Sequence, residues 1–183
     1  GRLGLVHSQV AYSQKRRSVL LYDCGCRKPY FRIKTSIYMK KLFYLGQWFL
    51  RARLFSRKAP LQTVLFISDV CNLRCKHCNV YELKNPHNMT YEQVREHLQY
   101  SYDLGSRFVD FEGGEVTIWK DGDYRINDLI DLAKKIGFFS CTITTNAQLP
   151  FAGSHADSIW VSLDGINFHE EVRGKGTIAK LEK

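Results

Sequence analysis

Acidic residues are nearly missing from the first third of this 183-residue chain. Residues 1–60 hold a single acid, Asp23, against fourteen Lys and Arg, a net charge of +13. Residues 61–183 hold seventeen acids and thirteen Lys and Arg, a net −4. An asymmetry of this size marks a boundary near Pro60 and implies that the N-terminal part meets something anionic. Long apolar runs are also lacking. The most apolar charge-free stretch is residues 42–50 (LFYLGQWFL), well short of the roughly 20 residues that span a bilayer. No basic region followed by an apolar one opens the chain, so no secretory signal is visible. The chain opens on Gly-Arg rather than Met, as expected of a fragment. Internal repeats and low-complexity tracts are absent. Six cysteines are too sparse for a disulfide scaffold, so their clustering matters more than their number. What remains, 44% hydrophobic and 25% charged residues, is the composition of a soluble globular protein and excludes a disordered or collagen-like one. Two regions are expected: a basic, aromatic-rich extension over 1–60 and a mildly acidic core over 61–183.

In the core, residues 63–68 (TVLFIS) form a continuous apolar run suited to a strand buried on both faces. Thr90 with Gln93 three residues on makes a capping box, predicting a helix to about Leu104. Residues 107–111 (RFVDF), 138–144 (FFSCTIT) and 158–163 (SIWVSL) read as further strands, and a second helix should begin at Asn127 and stop at Gly137. The connection over 146–157 leaves room only for a short helix, and a fourth helix is expected near the end. Strands alternating with helices predict a parallel α/β sheet. About four β/α units make a partial TIM-like barrel.

Just after the first strand stands Cys71-Asn-Leu-Arg-Cys75-Lys-His-Cys78, a C-x3-C-x2-C spacing. Three thiolates on one short loop can converge on one metal centre. A structural zinc site needs four closed ligands, and His77, as Cys78's neighbour, would strain to supply the fourth. A [4Fe–4S] cluster held by three thiolates fits better, because one iron stays free for a small molecule. A zinc knuckle and chance clustering are the plainer readings.

This loop resembles the signature of the radical S-adenosylmethionine (radical SAM) enzymes, C-x3-C-x-aromatic-C. The resemblance implies that Cys71, Cys75 and Cys78 bind a [4Fe–4S] cluster whose open iron is chelated by SAM, with His77 near the adenine. Gly113-Gly114-Glu115 resembles the family's GGE motif, which binds the SAM amino group; Val116 follows where Pro is common. Thr144-Thr145-Asn146 resembles the TNG-type turn of the SPASM/peptide-maturase-like branch, with Ala147 in place of Gly. Ser162-Leu163-Asp164-Gly165 resembles the SLDG segment near the SAM ribose, and Arg173-Gly174-Lys175-Gly176 the RGKG stretch whose Arg pairs with the SAM carboxylate. All four motifs fall at C-terminal strand ends, the rim where parallel barrels build their sites. The resemblance covers about residues 63–183 and stops short of the family's usual six strands. It implies an enzyme that cleaves SAM to a 5′-deoxyadenosyl radical for hydrogen abstraction from a peptide, protein or lipid-linked substrate, with an electron donor as partner. The rival is a non-catalytic Fe–S or zinc-binding interaction module.

Cys24 and Cys26 could bind an auxiliary metal or form a redox pair, although isolated cysteines are the preferred reading. Cys141 reads as a small buried hydrophobe. Asp110 and Glu112 alternate with Val109 and Phe111, so they face either the barrel interior or the surface. His155 and His169 have no assignment. Residues 36–58 mix Lys40, Lys41, Arg51, Arg53, Arg57 and Lys58 with Trp48 and many Phe and Leu in a helix-compatible run. That pattern suits a helix at an anionic membrane surface, with packing against the core or a partner as the alternative and nucleic acid ranked last. The expectation is a cytoplasmic protein, peripheral at the membrane.

Overall fold

The capping box read at Thr90 is present. Thr90 Oγ1 accepts the Gln93 N–H at 3.2 Å, while Gln93 Oε1 accepts the Thr90 N–H at 2.8 Å. Two of the orphan donors at the start of helix α2, Tyr91–Asp103, are thereby satisfied. The computed structural model describes residues 8–12, 30–55, 59–165 and 167–181. In chain order these form β1 (Ser8–Tyr12), α1 (Tyr30–Leu54), β2 (Gln62–Ser68), α2, β3 (Phe108–Gly113), β4 (Lys120–Asp121), β5 (Tyr124–Arg125), α3 (Ile126–Ile136), β6 (Ser140–Thr145), β7 (Ser158–Leu163), α4 (His169–Arg173) and α5 (Ile178–Leu181). Cys24 and Cys26 lie outside the described residues.

The main sheet has the order β1-β7-β6-β3-β2. Its last four strands are parallel, joined through α2 and then through the β4–β5 hairpin and α3. This is the expected partial β/α architecture, with no closed barrel among the described residues. β1 pairs antiparallel with β7, Val10 opposite Val161. The basic segment therefore contributes an edge strand that its sequence pattern does not announce. Residues 146–157 contain no helix, and the expected fourth helix is two short pieces, α4 and α5.

Burial explains which strand residues pack. Ile67, Val109, Phe111, Cys141, Ile143 and Ile159 meet Val94 and Leu98 of α2 and Leu129, Ile130 and Ala133 of α3 in one core. Each fully buried Leu or Ile contributes roughly 1.5–3 kcal/mol. Trp119 closes the core near the Cys loop, and its Nε1–H donates to Met89 O at 3.0 Å. Helices cover only this side of the sheet. On the other side Val64 is 47% exposed and Phe66 62% exposed, so β2 is not buried on both faces as its apolar run suggests. A continuous hydrophobic run cannot distinguish a covered face from one left open, and here the open face is the side a barrel would enclose. Asp110 and Glu112 share that open side, Asp110 in register with Thr142 of β6 and both carboxylates within reach of Thr144 Oγ1, at 3.4 and 3.5 Å.

Candidate functional site

The site begins where β2 ends. The chain beyond Ser68 is pinned by Asp69 N–H to His87 O at 2.7 Å and by Val70 N–H to Ser68 Oγ at 3.0 Å. The loop carrying Cys71, Cys75 and Cys78 follows, turned back by Cys78 N–H donating to Cys75 O at 3.0 Å. All three thiols are free; Cys75 is buried, and Cys71 and Cys78 are half-buried. Burial pushes the Cys71 and Cys75 thiols up from their ordinary range, and the neighbouring Arg173 guanidinium pulls Cys75 partly back. His77 stands exposed on the same loop.

Gly113 and Gly114 fix this loop's starting position. Gly114 N–H donates to Ser68 O at 2.6 Å and Glu115 N–H to Val70 O at 2.8 Å. A Cβ on Gly113 would lie 2.3 Å from Ser68 O, and one on Gly114 would lie 2.2 Å from Val70 O. No side chain fits either gap, so both positions require glycine for close backbone approach. In this structure the backbone they approach is the segment leading into the cysteines.

Glu115 is the buried hub of the rim, 1% exposed. Its Oε1 accepts from Thr117 N–H (3.1 Å), Thr117 Oγ1 (2.6 Å) and Thr145 Oγ1 (2.6 Å), and its Oε2 accepts Asn146 N–H (2.8 Å). Four donors offset the desolvation of a carboxylate that would otherwise be costly to bury. The carboxylate thus joins the loop after β3 to the turn after β6. Asn146 in turn donates through Nδ2 to Asn72 Oδ1 at 2.8 Å and lies 3.9 Å from the Cys71 sulfur. Ala147 follows with φ 55°, the left-handed conformation that the glycine of a TNG turn adopts without strain.

The last side of the rim comes from β7 and α4. Arg173 Nε donates to Asp164 Oδ2, both side chains about 10% exposed. Lys76 N–H donates to Val172 O at 2.8 Å, tying the Cys loop directly to α4. Gln148 Nε2 reaches Thr177 O at 3.1 Å and binds the β6 turn to the loop after α4. Ser162 is half-buried near the end of β7, opposite Gln9 of β1. The fold therefore brings the cysteines, Gly113, Gly114, Glu115, Asn146, Asp164 and Arg173 to one end of the parallel strands. A cleft of about 370 Å³ opens beside Cys71, lined by Asp69, Asn72, Arg74, Val80 and Leu83.

Several supporting residues escape the sequence. Thr117, Thr145 and Asn72 hold Glu115 and Asn146, yet polar residues of this kind populate any loop and no spacing singles them out. His169 is fully buried, its Nδ1 accepting Asp164 N–H at 3.4 Å while Nε2 has no partner. Burial, with Arg173 nearby, holds its pKa below the ordinary imidazole value. His155 pairs with Asp131 on the surface, Nδ1 to Oδ2 at 2.8 Å. Cys141 is buried in the core, as its place in a strand predicts, and burial pushes its thiol up to about 12.

The three free thiols share one loop, and thiolates are the donors that an iron–sulfur centre takes. Among the described residues no group of three or more His, Cys, Asp or Glu side chains is placed to hold a single metal ion.

A family model described as the radical SAM superfamily matches residues 65–183. The chain belongs to the radical SAM superfamily. That family is one of enzymes that use SAM and a [4Fe–4S] cluster. No curated protein sequence matches it. Among solved structures it is similar to Streptococcus suis SuiB bound to its precursor peptide SuiA, with 21% identity, 72% of this chain and 28% of that one covered, and a TM-score of 0.42. SuiB bound to S-adenosylmethionine gives 26% identity, 64% and 31% coverage and a TM-score of 0.43. Methylornithine synthase PylB gives 20% identity, 55% and 31% coverage and a TM-score of 0.40. The chain spans about three-tenths of the length of these solved structures. Family membership rests on the sequence match over residues 65–183.

Proposed function

We propose that Cys71, Cys75 and Cys78 hold a [4Fe–4S] cluster and that the surrounding rim binds SAM for radical chemistry on a peptide or protein. Held by Cys71, Cys75 and Cys78, such a cluster would supply the one-electron chemistry for reductive cleavage of SAM and hydrogen abstraction from a substrate. The observation that carries this reading is the hydrogen-bonded ring around the Cys loop. Gly114 and Glu115 hold its start, Asn146 reaches Cys71 and Asn72, and Val172 holds its middle.

The chain's own residues divide the work. The glycines and Glu115 keep the thiols at one end of the sheet. Arg173, fixed against Asp164, offers a guanidinium beside Cys75 for the SAM carboxylate. As the resemblance implies, the backbone around Gly113 and Gly114 and the side chains of Asn146, Ser162 and Asp164 would meet the SAM amino and ribose groups, and His77 the adenine. The peptide or protein substrate follows from the resemblance of residues 144–147, 162–165 and 173–176 to the peptide-maturase-like branch. An external electron donor reduces the cluster.

Anaerobic reconstitution with iron and sulfide, followed by assay of 5′-deoxyadenosine release under reductant, tests the reading. The full chain should bind about four irons and release 5′-deoxyadenosine, and Cys75→Ala should do neither. Iron binding without SAM cleavage would instead identify a non-catalytic Fe–S module, and zinc retention without sulfide a zinc-binding one. Loss of iron from a Cys24→Ala/Cys26→Ala variant as complete as from Cys75→Ala would overturn the ligand assignment.

A further inference from the structure

α1 meets the core along a narrow stripe and leaves its opposite face bare. Its half-buried residues are Lys41, Tyr44, Trp48 and Ala52, spaced three or four apart and so on one side of the helix. Tyr44 Oη donates to Gly105 O, and Trp48 Nε1 donates to Ala59 O at 2.8 Å. The Tyr44 ring meets Phe139 edge-on at 5.5 Å between centroids, and the Arg107 guanidinium lies 5.8 Å from the Tyr44 centroid. Ala59, Gly105, Arg107 and Phe139 all lie within three residues of the start of β2, β3 or β6. α1 therefore lies across the N-terminal ends of the sheet.

The other half of the helix surface is exposed and mostly apolar, interrupted by Arg53. Leu42, Phe43, Phe49, Leu50 and Leu54 fall within one arc opposite the docked stripe, Phe43 at 68% and Leu54 at 69% exposure. Lys40 and Arg51 stand side by side on one margin of this arc, with long stems that can reach past it. α1 contains six Lys and Arg and no acid, inside a 60-residue segment of net charge +13. No helix among the described residues is long and apolar enough to cross a membrane. An exposed apolar arc with Arg53 set within it, Lys40 and Arg51 along one margin and no acid anywhere on the helix is complementary to one kind of surface: an acyl layer beneath anionic headgroups.

We infer that the outward face of α1 docks on an anionic lipid surface and holds the reactive rim away from it, so that the substrate arrives from water. The second half follows from the strands. The Cys loop and its supporting turns lie at the C-terminal ends, and seven-residue β2 separates the two ends by roughly 20 Å. A rim on that side cannot reach a group embedded in the same bilayer. This favours a soluble peptide or protein over a lipid-linked substrate, and it rests on the rim being the reactive end, as proposed above.

The full chain is sedimented with phosphatidylcholine vesicles, with and without phosphatidylglycerol. At least about tenfold more protein should bind with phosphatidylglycerol at low salt, and the preference should shrink as the Debye length falls from about 10 Å at 0.1 M to about 3 Å at 1 M. Leu50→Glu and Phe43→Glu, both at exposed positions, should fold normally and lose binding. Amide hydrogen exchange on the bound wild type should slow over residues 38–54 and stay unchanged over residues 69–80. Indifference to phosphatidylglycerol, or unimpaired binding by both variants, overturns the docking. So does a concentration-dependent dimer that Leu50→Glu abolishes without vesicles, which would make the occupant a second copy, or a preference for RNA over vesicles. Slowed exchange at residues 69–80 in place of 38–54 overturns the orientation. Vesicle binding uses no cofactor, so its loss beside normal 5′-deoxyadenosine release refutes the docking alone, and the reverse result refutes the proposed function alone.

Discussion

Glu115 accepts the backbone N–H of Asn146 at 2.8 Å, a bond between the end of β3 and the end of β6 made in the dry interior of the rim. The carboxylate expected from its motif to face SAM thus spends its hydrogen-bonding capacity on its own chain. At the SAM site proposed above, its influence would run through the turn that carries Asn146 and, beyond it, through Cys71.

Glu115→Ala should therefore cost both folding stability and cofactor retention. It strands the hydroxyls of Thr117 and Thr145 and the Asn146 amide, for an expected loss of about 2–4 kcal/mol in urea unfolding. Glu115→Gln keeps one oxygen acceptor but turns an amide donor toward the others, so its loss should be intermediate. Full stability with weakened SAM binding in Glu115→Ala would show that the residue serves the ligand directly.

Gly114→Ala should be at least as damaging through sterics alone. The added carbon would lie 2.2 Å from Val70 O, so the strand leading into the cysteines must move. An expected loss of about 3 kcal/mol should appear in urea unfolding, together with reduced iron after reconstitution. Gly153→Ala, where nothing lies within 4 Å of the new carbon, should stay within about 0.5 kcal/mol of wild type.

These two substitutions mark the line between what the sequence discloses and what it conceals. The capping box at Thr90, the strand over 158–163 and the succession of polar motifs at strand ends depend on local pattern, and all were legible. The partners of Glu115 were not, because Thr117 and Thr145 become special only when two distant turns meet. The pairing of β1 with β7 joins residues about 150 apart, and nothing in Ser8–Tyr12 specifies that register. The exposure of Val64 and Phe66 was hidden for a related reason: an apolar strand reads the same whether one face or both are covered. His169 stayed without assignment because a single histidine opening a five-residue helix carries no periodicity.

Asp110 should make the fold sensitive to pH. Burial, reinforced by the Glu112 carboxylate and opposed by the Thr144 hydroxyl, raises its pKa from 3.8 to about 6. The native state thus prefers the protonated acid. Its contribution is complete below about pH 4, where the unfolded chain is protonated too, and is lost as pH rises through 6. Asp110→Asn should match wild type at pH 4 and exceed it at pH 7 by about 1–2 kcal/mol, a figure reduced from the full shift for residual hydration. Thermal unfolding at the two pH values measures this difference; equal stability at both would place the carboxylate in water.

Arg173→Ala should weaken SAM binding to the reconstituted protein by roughly 1.5–3 kcal/mol, the worth of a charge-assisted hydrogen bond, while iron content stays unchanged. Isothermal calorimetry reads the first quantity and metal analysis the second. Because Asp164 would be left as a buried charge without its guanidinium, the pair Arg173→Ala/Asp164→Ala separates the two effects. If the double variant regains both stability and SAM affinity, Arg173 served only to neutralise Asp164.

Ala147 occupies, at φ 55°, a conformation that costs an L-residue about 1 kcal/mol and glycine almost nothing. The bonds on either side, Ala147 N–H to Thr145 Oγ1 and Gln148 N–H to Asn146 Oδ1, hold it there. A methyl group at this point also narrows the shapes available to the turn before folding, which glycine would widen. Alanine at this point therefore makes the turn beside Asn146 stiffer than glycine would.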